Sequence, residues 1–391
     1  MSKYVQLLSK QMIGREWYEA GDWVKVGTQT AEKLVAARQA RYAREVPLVK
    51  VELPKVSAPA RVTDRTAQMA ERIKSVSPVS LPVARRTTFP SASPTSKVAF
   101  GMIVFNGDHV LEGVLSTIYP WASQICIAEG PVKFHADRLG TNVSTDNTVE
   151  IIKNFPDPDR KISLVQGVWP EKTEMCNAWI ENVEPDTDYV WQIDSDEMYT
   201  QEAIKNVFAM LGPDGYDSIA FRFRSFYGGF DRHMIGWEEA QETHRIQRFY
   251  PGARWSTHRP PTILAHDGKP WREHNHISHW ESDYALNARI FHYSFVFPGQ
   301  TEMKYHYYND LTKGAVIPNG FERLYLPWVQ GDDKVKAEIE REFQGVHHLR
   351  RGPNGQCVCH TAKWNGRHPQ WIEDHKAELE ARIQRELEQW Q

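Results

Sequence analysis

From Lys97 to Asp194 the chain alternates apolar runs of strand length with stretches of helical periodicity. "KVAFGMIVFN" leads into "DHVLEGVLSTIY", "ASQICIAEG" into "STDNTVEIIKNF", and "KISLVQGVW" into "EKTEMCNAWIENV". "DTDYVWQID" closes the series. Strands and helices of these lengths in strict alternation join as βαβ units, so the expected fold is α/β, with a Rossmann-like, mostly parallel sheet flanked by helices. Ser144 is placed to cap the second helix. In such sheets ligands sit at the carboxyl ends of the strands. Asn106, Glu129, Trp169 and the pair Asp194 and Asp196 all fall there.

The flanks have a different texture. Residues 1–46 read as a small α+β module, with a Gly-Asp turn, a short strand at Trp23, Val24 and Val26, and a helix over Ala31–Ala37. Residues 47–96 hold seven prolines among Ser, Thr, Val and Ala, the composition of a linker. A catalytic domain is expected over 97–330 and a helical extension packing on it over 331–391, with Ile372, Leu379, Ile383, Leu387 and Trp390 on one helix face. "SIAFRFRSFYGGF" reads as one two-faced strand.

Charge separates the two ends. Residues 1–97 carry 17 Lys and Arg against 8 Asp and Glu, while the whole chain has a net charge of −3. A basic leader on an acidic body suits an anionic partner for the leader and argues against one broad nucleic-acid surface. No apolar run reaches the roughly 18 residues of a membrane span, and the first residues lack the apolar core of a secretory signal, so a cytoplasmic protein is expected. Four cysteines do not make a disulfide scaffold, and Cys126 and Cys176 are expected as buried thiols.

"VWQIDSDEMYT" ends the fourth strand on three carboxylates. Asp194 and Asp196, one residue apart on an extended chain, point in similar directions. Two convergent carboxylates in a partly buried place repel unless a cation joins them, and oxygen ligands suit Mg²⁺ or Mn²⁺ bridging to substrate phosphates. Glu197 is expected behind the pair or facing solvent rather than in it. No Gly-x-x-x-x-Gly-Lys-Ser/Thr occurs, so a P-loop nucleotide site is not expected.

The order of these features resembles the family 2 nucleotide-sugar glycosyltransferases over roughly residues 97–200. The features are a strand ending at Phe105 and Asn106, a strand ending at Glu129, "STDNT", a helix with Lys172 and Asn177, then "DYVWQIDSDE". The resemblance implies the glycosyltransferase A type of fold. It implies a metal-dependent enzyme that moves a sugar from a nucleoside-diphosphate sugar, a UDP-sugar by family habit, to an acceptor hydroxyl, with inversion. In that reading Phe105, Asn106, Glu129, Asp146, Lys172 and Asp194 hold the nucleotide sugar. Asp194, Asp196 and a downstream histidine hold Mn²⁺ or Mg²⁺. His292 is the first choice because it lies in "RIFHYSFVFPGQTEMKYHYY", with Lys304 following as the family's lysine does. "EGP" and "STDNT" are separated here by "VKFHADRLGTNV", an insert where the family runs on directly. "WNGRHP" resembles the Gly-x-His-Pro near the end of related transferases.

The proton acceptor departs from the family pattern. Members often show Trp followed by His-Glu, whereas "RWSTHRPP" has Arg259 after His258. Asp231, Glu238, Glu239 and His258 are the substitutes for a general base. A retaining transfer would need no dedicated base. Arg222, Arg224, Arg245, Arg248, Arg254 and Arg259 are either diphosphate contacts or partners of the many acids. "HNHISH" and "CVCH" invite a zinc reading, but His274 and His276 share a strand face that His279 does not, and no second Cys-x-x-Cys exists.

The leader resembles short strand–helix modules of bacteriophage structural proteins. On that footing the acceptor would be a modified base in phage DNA, a virion protein or a glycan, and the compartment the host cytoplasm. Two other classes compete: a catalytically inactive sugar- or nucleotide-binding or virion-associated module, and a nucleotidyltransferase, which also uses paired carboxylates.

Overall fold

The structure is a computed structural model that describes residues 96–311, 317–348 and 358–390, and five short strands within the first 42 residues. The chain divides into two compact units, Met1–Arg61 and Val62–Gln391. In the first unit, β1 (Ser2–Leu7) lies between β4 (Trp23–Gly27) and β5 (Ala40–Tyr42), antiparallel to both, and β2 (Gln11–Ile13) pairs with β3 (Glu16–Tyr18). The strand expected at Trp23 is present. The helix expected over Ala31–Ala37 and the proline-rich linker lie outside the described residues.

The second unit is organised on a seven-stranded sheet. Four parallel strands form its centre, β6 (Val98–Val104), β7 (Gln124–Glu129), β8 (Ile162–Gln166) and β9 (Tyr189–Gln192), in the spatial order β9-β6-β7-β8. β14 (Thr243–Arg248) pairs antiparallel with β9, β11 (Ser218–Phe221) antiparallel with β14, and β17 (His276–Ile277) parallel with β11. β14 alone therefore runs against the rest, and the sheet is mostly parallel, as the strand–helix alternation dictates. The connections run through α1 (Leu111–Ile118), then α2 (Lys133–Leu139) and α3 (Thr148–Asn154), then α4 (Lys172–Ile180).

All seven residues of β6 are buried, so this strand is covered on both faces. One face packs into the larger apolar cluster with Val114, Leu115 and Ile118 of α1, the other into a smaller one with Met175, Cys176 and Trp179 of α4. Three layers result. The approach of α4 is tight, because a Cβ on Gly101 would lie 2.3 Å from the Trp179 ring. The chain leaves β6 to one side and returns as β9 on the other, so the crevice between their carboxyl ends is the topological switch point of the sheet.

A second, five-stranded sheet was not legible as such. Its order is β10 (Glu197–Met198), β18 (Ile290–Phe295), β12 (Phe223–Tyr227), β13 (Arg232–Gly236) and β19 (Cys359–Lys363). "SIAFRFRSFYGGF" is accordingly not one strand. It breaks at Arg222, which crosses from the first sheet to the second with its guanidinium buried against Asp283 at 2.9 Å. The C-terminal segment is more than a packed helix, since β19 pairs antiparallel with β13. The helix expected there is α6 (Gln370–Leu387), which buries Ile372, Leu379, Ile383 and Leu387. Earlier in the chain, α5 (Pro298–Leu311) follows β18 directly. Cys126 and Cys176 are buried thiols.

Candidate active site

The loop after β6 opens the site. Asn106 takes a positive φ of 50°, a conformation asparagine adopts more readily than most residues. Its backbone N–H donates to Ser144 Oγ at 2.8 Å, and its side-chain oxygen accepts from Thr145 N–H at 2.8 Å. Ser144 is thus not the helix cap expected of it. Asn147 occupies the cap position of α3 without a side-chain bond to the helix, and the Ser144 hydroxyl ties "STDNT" to the end of β6.

Two residues expected to hold nucleotide are committed elsewhere. Glu129 is fully buried, accepting from Ser144 N–H at 2.8 Å and from Gln166 Nε2 at 2.7 Å. Asp146 accepts from the N–H groups of Asp108 and Thr148, at 3.1 and 3.0 Å. Neither lines the cleft. Asp146 instead holds the loop that carries Asn106 through the Asp108 N–H, and Glu129 holds it through Ser144, whose hydroxyl accepts from Asn106 N–H.

Asp194 and Asp196 follow β9 and line a cleft of about 240 Å³ at the carboxyl edge. Each divides its two oxygens. Asp194 Oδ2 accepts from Arg245 Nη2 at 3.0 Å, while its Oδ1 is buried with no hydrogen-bond partner. Arg245, on β14, also pairs with Glu197, whose side chain is fully buried. Asp196 Oδ2 accepts from Lys304 Nζ and from Gln300 Nε2, each at 2.9 Å, and its Oδ1 lies 3.7 Å from His292 Nε2. Burial works against ionisation of both acids. Arg245 outweighs it at Asp194, and Lys304 with His292 at Asp196, so both carboxyls are held below the usual carboxylate range.

A divalent cation fits this place under one condition. The unpartnered Asp194 Oδ1, and Asp196 Oδ1 beside the His292 ring, are suitable ligand atoms. Yet among the described residues no three His, Cys, Asp or Glu side chains converge closely enough to hold a metal by themselves. Further oxygens, such as those of a diphosphate, would have to complete the shell.

Cations and rings form the facing wall. Lys172, at the start of α4, is half-buried with its Nζ 5.2 Å over the Tyr307 ring, and desolvation lowers its pKa. Tyr307 stacks on His135 at 4.8 Å, and Phe105 lies 5.6 Å from His135. Arg259 leans over Tyr308 at 5.6 Å. Among the described residues, neither Lys172 nor Arg259 forms an ion pair with a carboxylate. His258, in the hairpin of β15 (Trp255–His258) and β16 (Pro261–Ile263), also lines the cleft. Burial, then Lys172, brings its pKa down to about 3, so its ring is neutral at pH 7.

The four candidate bases separate clearly. Glu238 and His258 line the cleft, whereas Glu239 and Asp231 do not. Glu239 turns to Arg289 at 2.8 Å and Arg222 at 3.5 Å. Asp231 lies where its carbonyl accepts from Trp364 N–H at 2.7 Å, against β19. Glu238 accepts from Ser225 Oγ at 3.3 Å and faces His347 Nε2 at 3.4 Å. Burial opposes its charge, but His347, His292 and Arg259 prevail and hold its pKa at about 2.

His347 and His348 were missed. Both are buried and line the cleft, and both ring nitrogens of His348 lack a partner. The adjacent pair in "GVHHL" was the signal available. Of the six arginines singled out, Arg259 alone lines the cleft. Arg248 and Arg254 pair with Asp217 and Glu181, and Arg224 lies 4.1 Å over Trp364. In "HNHISH", His276 and His279 turn to Glu242 at 3.4 and 3.1 Å, while His274 faces Asp267 at 3.3 Å.

Residues 141–264 match the family model described as Glycosyl transferase family 2. That stretch contains Lys172, Asp194, Asp196, Glu238 and His258 and begins after Asn106 and Glu129. Among solved structures, S. aureus TarS 1–349 is similar with 16% identity and a TM-score of 0.26, over 34% of this chain and 37% of that one. The same fragment in complex with UDP-GlcNAc has 16% identity and a TM-score of 0.26, over 34% and 36%. S. aureus TarS has 13% identity and a TM-score of 0.27, over 39% and 28%. The chain thus spans between 28% and 37% of the length of these structures. No curated protein matches it. No helix among the described residues is long and apolar enough to cross a membrane.

Proposed function

We propose that the chain is a glycosyltransferase that moves a sugar from a nucleoside-diphosphate sugar, a UDP-sugar in the first instance, to an acceptor hydroxyl. One observation carries this reading. The paired carboxylates Asp194 and Asp196 meet Lys172, Arg259 and Lys304 in one cleft at the switch point of the sheet, within and beside the segment matched to glycosyl transferase family 2. Among the described residues Lys172 and Arg259 have no carboxylate partner, and two cations left without one at the lining of a cleft suit a ligand with several negative oxygens.

The roles follow from position. Phe105, His135 and Tyr307 offer ring faces to the base, with Asn106 beside them. Lys172, Arg259 and Lys304 take the diphosphate. Asp194, Asp196 and His292 would hold Mn²⁺ or Mg²⁺ together with diphosphate oxygens, and that cation neutralises charge on the leaving group. Glu238, ionised and facing the cleft, accepts the proton of the attacking hydroxyl, which makes the transfer inverting. His258, neutral, is a hydrogen-bonding group for donor or acceptor.

The test is incubation of the full chain with a panel of nucleotide sugars and Mn²⁺, offering DNA bases, proteins and glycans as acceptors. Release of nucleoside diphosphate, lost in Asp196→Asn, supports the enzyme. Release of pyrophosphate would instead make it a nucleotidyltransferase. A well-folded chain that binds no nucleotide would leave only the virion-associated or binding-module reading.

A further inference from the structure

Ser225 sits in β12 at the middle of the five-stranded sheet, 1% exposed, with His292 as its register partner on β18. Its hydroxyl touches two cleft residues at once, Glu238 Oε1 at 3.3 Å and His292 Nδ1 at 3.0 Å. The proton count decides which way these bonds run. An ionised carboxylate only accepts, and a serine hydroxyl has one hydrogen. If that hydrogen goes to Glu238, Ser225 Oγ must accept from His292, so the proton of the imidazole is on Nδ1. This holds whether or not the ring carries a second proton. The ring is kept in plane by Phe223, stacked on it at 4.6 Å.

We propose that Ser225 is a positioning residue of the cleft: one hydroxyl fixes His292 as the Nδ1–H tautomer and steers the Glu238 carboxylate. The neutral ring then presents the bare Nε2 lone pair 3.7 Å from Asp196 Oδ1. Two acceptor atoms facing each other in a buried place call for a proton or a cation between them. The far ring nitrogen of a metal-binding histidine is characteristically held by such a partner. The use of that lone pair rests on the donor-site reading. The tautomer does not, and it is measured without donor or turnover.

The experiment is ¹⁵N NMR of the full chain labelled at histidine, with the His292 signals identified by their loss in His292→Asn. In the unmodified protein Nδ1 should show the protonated, pyrrole-like shift throughout, and Nε2 the pyridine-like one wherever the ring is neutral. Ser225→Ala should move the ring toward the Nε2–H form, and Ser225→Thr, which keeps the hydroxyl, should restore the first pattern. An Nε2–H tautomer in the unmodified protein would overturn the proposal, whatever the variants do. So would a tautomer unchanged in a folded Ser225→Ala.

Discussion

Lys304 Nζ lies 2.9 Å from Asp196 Oδ2, and Gln300, one helical turn earlier on α5, donates to the same oxygen. The contact gives the lysine two tasks, compensating a buried acid and presenting charge to the cleft. Lys304→Met should weaken UDP binding by tenfold or more, read by calorimetry. It should also cost stability, below the ~3–5 kcal/mol of a fully buried broken pair because the lysine is partly exposed. Unchanged UDP affinity in a folded variant would remove Lys304 from the donor site.

Adjacent glutamates make the sharpest test of the base. Glu238 faces the cleft, and Glu239 is spent on Arg289 and Arg222. Glu238→Gln should lower the rate of transfer by roughly 10²- to 10⁴-fold, the range for loss of a general base, with nucleotide affinity retained. Glu239→Gln should leave turnover per folded molecule nearly intact and lower stability by about 1–3 kcal/mol, since it leaves buried arginine donors short of an acceptor. The reverse pattern would move the base to Glu239.

How far these assignments were legible depends on distance along the chain. The four central strands and their helices are local, and each leaves its own periodicity in a dozen residues. Asp194, Asp196 and Asn106 could be placed at the cleft because the ends of those strands fix them, and Lys172 only through the family resemblance, at the start of a helix. The second sheet left no such trace. Its strands lie near residues 197, 223, 232, 290 and 359, one of them only two residues long, and pairing between segments so far apart has no periodic signature. His347 and Ser225 come to Glu238 through that sheet and the loop beside it, so the surroundings of the base were hidden. Glu129 closes a strand and Asp146 lies in the loop that follows it, and both accept from backbone N–H groups, bonds that leave no mark in the sequence.

Acid should loosen the fold at a pH well above the carboxylate range. Burial is the main cause that holds His109, His244 and His368 at about 4 and His258 at about 3. In the unfolded chain a histidine titrates near ~6.5. Below that pH the unfolded state takes up protons that the folded state refuses, so stability falls as pH drops from about 6.5 toward about 4, by ~1.4 kcal/mol per pH unit for each such proton. Glu238, whose folded pKa is depressed, contributes stability that is present above its unfolded value near ~4.3 and is lost only as pH falls toward its folded value. Urea midpoints at about pH 7.5, 6.5, 5.5 and 4.5 should decline from the second point onward. A flat profile down to about pH 5 would mean that these rings are hydrated in the folded protein.

Gly107 is where the loop after β6 meets the loop after β9. A Cβ there would lie 2.4 Å from Ser195 Oγ and 2.8 Å from Val104 Cγ2, closer than real Cβ contacts come. Gly107→Ala must therefore push Ser195 away, and Ser195 stands between Asp194 and Asp196. UDP affinity and transfer should fall together, by about tenfold or more. Because the nearest obstacle is a side chain, removing it should relieve the closer of the two clashes and leave only the Val104 methyl to give way. Gly107→Ala combined with Ser195→Gly should recover much of the lost affinity, and neighbouring residues that share a contact couple by ~0.5–3 kcal/mol in such cycles. Additive losses, with no recovery in the double variant, would show that the glycine is needed for a reason other than the space that Ser195 takes.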